Sequence, residues 1–429
     1  MSGPIRTIPP VDIGRTHGLR RMLGRDPLEK HRSSTPLELL FDLTIVVAFA
    51  QAGDQVAHSI AAGHIGTAVW GFLFVLLSFC WGWLNFTWFS SAFDTDDWLQ
   101  RLLTMVQMIG IIVVALGIPA VFESLDSGES IDYSVVAAGY VVMRSSLIAM
   151  WLRVALQDPA NRRVALRYAA YNAVIQTAWV VVVIARIEFV PLLAVLITGL
   201  WAAELAGHIF ATWDSELIDG TWRGTPWNAH HIVERYGLLV IISLGEVILG
   251  TVTAVAAIVV RESWSAEAIL IVVSGVGLSF GLWWTYFVVP SAPVLARHRS
   301  RKWAWGYGHI LLFAALAAVG AGLHVAAYAV EGETEIGTVG VTLSVAIPVL
   351  VFGLTYFALY SALFRSVDSL HVILVIGMVL FLVAGVALAV VGAPLGWCLL
   401  AVTLSPFVVA VGYETAGYRH VELDLRREG

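Results

Sequence analysis

The stretch "STPLELLFDLTIVVAFAQAG", residues 34–53, sets two carboxylates, Glu38 and Asp42, one helical turn apart at the head of a segment otherwise suited to lipid. A soluble helix would turn such a pair into water. The rest of the chain does not permit that reading: of 429 residues 59% are hydrophobic and 13% charged, and the mean hydropathy is +0.81, outside the range of ordinary globular domains. Apolar runs long enough to cross a hydrocarbon core recur twelve times, at approximately 37–58, 65–91, 98–120, 132–157, 163–187, 189–213, 231–260, 264–290, 303–329, 339–364, 371–391 and 394–414. Backbone amides cannot stay unpaired in lipid, so these runs must be helices. The expected fold class is all-α: a polytopic membrane protein of about twelve transmembrane helices.

The connections are short, and the longest hydrophilic pieces, residues 1–36 and the loop "DSELIDGTWRGTPWN" at 214–228, are too small to fold as domains. That excludes a soluble catalytic or nucleic-acid-binding module and leaves the bilayer as the surrounding partner. Cys80 and Cys398 fall inside apolar runs and read as small core residues, with no disulfide frame. The N-terminal piece has basic residues but no apolar core before residue 37, so it is expected to be a poorly ordered cytoplasmic tail and not a cleavable signal. With that end inside, 22 of the 25 Lys and Arg residues fall on the cytoplasmic side of twelve crossings, and the C-terminus is cytoplasmic too. Arg outnumbers Lys 23 to 2 in an Ala-, Val- and Gly-rich chain; this usage suits a GC-rich bacterial genome and so the bacterial plasma membrane.

Segments one and seven can be overlaid, with Phe41 to Gln51 falling on Tyr236 to Glu246 at an offset of 195. Segments two and eight both end in aromatic clusters, "FCWGWLNFTWF" and "SFGLWWTYF", and segments three and nine carry Gln107 and His309 at an offset of 202. These matches read as a duplicated six-helix unit whose halves run parallel, because each contains an even number of helices. The chain then divides into a basic tail at 1–36, a first repeat at 37–213, a linker at 214–230, a second repeat at 231–414 and a tail at 415–429.

Several groups should not be in lipid unaccompanied. Arg144 is central in segment four, Glu204 in segment six and Glu246 in segment seven, and Asp42 is about 9 Å in from Pro36. His208 follows Glu204 by one turn on the same face. Together with Glu38, Asn85, Gln107, Asn172 and Gln176 they make a polar seam. One reading pairs Arg144 with an acid to fix helix packing. The other gives the seam to an ion, proton or small polar solute, because three deep acids against one deep base leave surplus carboxylates.

The stretch "NAHHIVERYGLLVIISLGE", residues 228–246, is the second dense motif. His231 and Glu234 are three residues apart at the start of segment seven, but His230 points elsewhere, so no third ligand completes a metal site. Asn228 is expected to cap the helix while Glu234 and Arg235 pair with neighbouring helices. The tryptophans, 17 in all, are ordinarily interface anchors. Trp81, Trp83 and Trp88, or Trp283 and Trp284, could instead build a ligand cage.

"PLELLFDLTIVVAF" in segment one and "HHIVERYGLLVIISLGE" in segment seven resemble the bacterial low temperature requirement protein A family over residues 31–420. The positions matching its motifs are Glu38, Phe41, Asp42, His231, Glu234, Arg235, Gly237, Gly245 and Glu246. The resemblance implies a bacterial polytopic protein and names no substrate. More distantly, the order of Phe41-Asp42, "WLNFTWF" and "FDTDDWLQRLLTMVQM" is similar to that of endolysosomal and bacterial potassium channels built from six-helix units. The chain departs from that pattern in lacking a serine after Phe41 and in having Gly237 where an acid is expected.

The function expected from these features is permeation or transport of a cation, proton or small polar solute between the repeats. The alternatives are a membrane enzyme acting on a lipid, for which His230, His231 and Glu234 are the only candidates, and a non-transporting scaffold. No cofactor and no nucleic acid is called for, and a homo-oligomer is compatible with the sequence.

Overall fold

The computed structural model describes residues 18–29, 32–128, 131–212, 217–218, 221–222, 225–365 and 369–418. Among them are twelve long helices: α1 (Pro36–Ala61), α2 (Ile65–Phe93), α3 (Trp98–Ser127), α4 (Ser134–Gln157), α5 (Arg162–Ile184), α6 (Val190–Thr212), α7 (Ala229–Glu262), α8 (Ala266–Phe287), α9 (Lys302–Glu331), α10 (Thr338–Phe364), α11 (Ser369–Val390) and α12 (Leu395–Gly412). Each coincides with one of the twelve expected crossings to within a few residues. A short helix, Ser291–Arg297, joins α8 to α9, and Leu217–Ile218 pairs with Thr221–Trp222 as a two-stranded ladder in the linker.

Eleven of the twelve are both long and apolar enough to cross a membrane. The exception is α5, which opens on Arg162 and Arg163 and carries Arg167, Asn172 and Gln176 along its length. Its 23 residues still span about 35 Å.

The helix ends are set by local chemistry. Thr35 caps α1 in a reciprocal box: its hydroxyl accepts from the Glu38 amide, and the Glu38 carboxylate accepts from the Thr35 amide. Asp97, Asn228 and Ser265 cap α3, α7 and α8. Gly128 and Gly332 end α3 and α9 in the left-handed conformation that glycine adopts without strain.

In the first half α1 packs on α2 and α3, α3 on α4, α4 on α5 and α5 on α6; in the second, α7 packs on α8 and α9, α9 on α10, α10 on α11 and α11 on α12. The halves differ where α12 packs closely on α8. There Thr403 and Thr285 donate to the carbonyls of Ser274 and Pro406. The halves meet where α1 lies against α7 and α9, and α9 is the most enclosed helix.

Residues 18–29 correct the expectation of a poorly ordered tail. Met22 is fully buried, and its amide donates to Gln157 Oε1 at 2.8 Å. The Gly24 amide reaches Asp158 at 2.8 Å and the Arg25 amide reaches the Ala92 carbonyl at 2.9 Å. Arg153 ties this strap down through Asp97 (2.9 Å) and the Arg20 carbonyl (2.7 Å). Residues 1–17, most of the 214–224 linker and residues 419–429 of the C-terminal tail lie outside the described residues.

Candidate functional site: three buried polar stations

Helices α1 and α7 are joined by two polar rungs near their starts. His231 Nε2 lies 3.1 and 3.3 Å from the two carboxylate oxygens of Glu38. One turn further on, Arg235 makes two hydrogen bonds of 2.6 Å to Asp42, and Trp83 of α2 adds a third to the same carboxylate at 2.7 Å. All of these side chains are buried, with Arg235 and His231 at 0% exposure. Because residues 38 and 42 meet 231 and 235 in the same order, α1 and α7 run in the same direction. Glu234 is exposed and accepts from the Ser34 amide at 2.9 Å, and Asn228 caps the helix by accepting from His231 N. The opening carboxylates are thereby accounted for: Glu38 belongs to a capping box and a histidine, and Asp42 to an arginine and an indole.

The second station lies inside the first half. Arg144 of α4 reaches Glu204 of α6 at 3.1 Å and also bonds the Asn172 side chain of α5. Gln176 and Trp81 donate to the two oxygens of Glu204 at 2.9 and 3.0 Å. His208 is not the proton partner of Glu204 that its spacing suggested; its Nε2 lies 2.6 Å from Asn85 Oδ1, among the rings of Trp81, Tyr168 and Trp303. This is a structural cluster in which the carboxylate is balanced by a guanidinium and held by two neutral donors, while Arg144 Nε and Nη1 and Gln176 Oε1 are buried without hydrogen-bond partners.

Glu246 is different. It lies halfway along α7, is 4% exposed, and among the described residues receives no hydrogen bond or ion pair. Its Oε2 faces Gly53 of α1, 3.6 Å from where a side chain on that glycine would begin. On the other side its main chain lies against Gly320 of α9, and Gly250 one turn on lies against the Gly320 carbonyl and the His324 ring. Three helices that all run the same way thus converge on one unaccompanied carboxyl, and glycines make the close approach possible.

The structure therefore corrects the reckoning of three deep acids against one deep base. Arg235, placed at the loop by sequence, is drawn fully inside and balances Asp42, while Arg144 goes to Glu204. One acid remains over. Gln107 stays outside these clusters, with only the Met150 sulfur 3.4 Å away. Trp81 and Trp83 are buried donors and not interface anchors, whereas Trp283 is 40% exposed. His230 is exposed and does not join His231, and among the described residues no three His, Cys, Asp or Glu side chains converge on one point. One signal went unread in the sequence, the T-x-x-E capping box at Thr35–Glu38; the pairing of Asp97 with Arg153, 56 residues apart, has no sequence signature.

A bundle of twelve long helices with ion pairs sealed between them defines a polytopic integral membrane protein. The chain belongs to the bacterial low temperature requirement A (LtrA) family, which it matches over residues 33–406. An uncharacterized protein of Rhizobium meliloti (strain 1021) is 30% identical over 235 residues, covering 54% of this chain. The match spans about half, 53%, of that relative's length. No solved structure matches the chain.

Proposed function

We propose that the protein moves a proton or a small cation across the membrane and that Glu246 is the group that binds it. The single observation carrying this reading is the contrast among the deep acids. Glu38, Asp42 and Glu204 each have a basic side chain within hydrogen-bond reach, and Glu246 has none among the described residues. A carboxylate buried at mid-helix needs a counter-charge, and a proton or cation from outside supplies what the chain does not.

The polar seam is accordingly narrowed. Its Asp42 and Glu204 portions hold helices together, and the Glu246 portion does the binding. The common direction of α1 and α7, with the matching order of neighbours around each, supports two parallel six-helix repeats at 37–213 and 231–414 with the site at their junction. The basic residues that fall on one side, 22 less the buried Arg235, support a plasma-membrane protein with both termini cytoplasmic.

The test is flux into liposomes containing the purified protein, driven in turn by proton, sodium and potassium gradients. The wild type should carry at least one of them, and E246Q should lose that flux while eluting as the same folded species. Wild-type flux in E246Q would remove the assignment.

A further inference from the structure

Toward the end of the bundle where α1, α7 and α9 terminate, Glu246 has polar company. His324 of α9 is four residues, about 6 Å, beyond Gly320. Its Nε2 is buried without a hydrogen-bond partner, and Cδ2, the ring atom bonded to that nitrogen, is the one facing Gly250, a turn beyond Glu246. Asp54 of α1 follows Gly53, is exposed, and acts electrostatically on both His324 and Tyr328. From Asp54 the helix has seven residues, about 10 Å, left before it ends at Ala61.

In the opposite direction the α1 face is apolar. Ile45 and Phe49 of α1 are fully buried, with Phe49 against the Phe79 ring at 5.0 Å. Beyond them stands the sealed Asp42–Arg235 pair. Ser243, three residues before Glu246, spends its hydroxyl on the Leu239 carbonyl, so a carboxyl and an imidazole accompany Glu246 toward one end of the bundle only. The other helices packed on α7 add nothing at this level: α8 has titratable side chains only near its ends, Glu267 and Tyr286, and α2 has only Cys80.

Resting on the reading of Glu246 as the binding group, we propose that the transported species is a proton and that Asp54 and His324 relay it between Glu246 and the compartment at the end of the bundle where α1 terminates. Water delivers a proton to the Asp54 carboxylate and carries one from the resulting carboxyl to one imidazole nitrogen of His324; the other nitrogen releases one through water to Glu246, since no two of the three side chains are in hydrogen-bond contact. The charge balances at each step, and no other reactant is needed. The choice of a proton follows from the ligands present. The site presents one carboxylate and one imidazole between glycines whose backbones are helical, whereas a hard metal cation takes six or more oxygens.

The experiment follows a pH-sensitive dye in liposomes containing wild-type protein, D54N, H324A or E246Q, with and without added imidazole. D54N and H324A should slow proton flux at least about tenfold, and imidazole should restore part of the rate in H324A alone, which a packing defect would not allow. Flux within about twofold of wild type in both D54N and H324A, with E246Q silent, overturns the relay and leaves Glu246 as the binding group. Wild-type flux in E246Q, or no proton flux in the wild type, overturns the relay and the assignment of Glu246 to protons together. Should H324A fail to fold, the exposed D54N position decides the same question.

Discussion

Arg235 of α7 clasps Asp42 of α1 through two hydrogen bonds of 2.6 Å, both residues being almost completely buried. The pair fixes the register of the helices on which the two halves of the protein meet. Removing one member leaves the other charged and unaccompanied in a low-dielectric interior, at a cost of about 3–5 kcal/mol. R235M and D42L should therefore each lower thermal stability in detergent strongly. The double variant D42L/R235M should recover most of the loss, because it removes both charges; additive losses would show that the two residues do not act as a pair.

Arg144 and Glu204 should behave alike but independently. E204L leaves a guanidinium between Asn172 and Tyr140 and should reduce folded yield, with E204L/R144M partly rescuing it. A cycle combining R144M with R235M should give additive losses, since the two pairs share no partner.

The close approach of α7 and α9 depends on Gly320. A side-chain carbon there would lie 2.5 Å from the carbonyl carbon of Glu246, a backbone atom that cannot move aside. G320A should separate the helices, with a loss of the order of 1–3 kcal/mol. G245A meets open space and should be tolerated. Equal melting temperatures for the two variants would contradict the crossing geometry.

The N-terminal strap should be sensitive to acid. Burial alone would raise the Asp97 carboxyl, but hydrogen bonds from Arg153 and from the amides of Gln100 and Arg20 outweigh it and hold the group down at about 2. A depressed value means the stabilisation is complete above about pH 3.9, the unfolded value, and is lost as pH falls toward 2. Amide-exchange protection at Met22 and Gly24 should therefore persist to mildly acidic pH and fall steeply below it. D97N should show low protection throughout; pH-independent protection in the wild type would refute the anchor.

The crossings were legible because apolar length alone forces helices in lipid. At α5, with three arginines in its first six residues, the expected helix is present, but it is the one of the twelve that is not apolar enough to count as a span. The site was less legible. The burial of Glu38, Asp42, Glu204 and Arg144 could be anticipated from depth. Their partners could not, because Arg235 and His231 lie 193 residues from Asp42 and Glu38, and helical periodicity says nothing about which faces meet. Trp81 and Trp83 misled for a related reason: an indole at a membrane interface and an indole bonding a buried carboxylate have the same local sequence. Glu246 was noticed for its depth, but only the packing of Gly53 and Gly320 around it shows that it stands apart.

The claim that Glu246 alone among the deep acids lacks a balancing base is open to direct chemical measurement. A membrane-permeant carbodiimide reacts with a protonated carboxyl in apolar surroundings and spares one engaged with a guanidinium. Treating the protein in liposomes and mapping adducts by mass spectrometry should place the label on the peptide containing Glu246. Glu38, Asp42 and Glu204 should stay unmodified, and E246Q should remain unlabelled. An unmodified Glu246, or labelling of Asp42 and Glu204 to the same extent, would contradict the account.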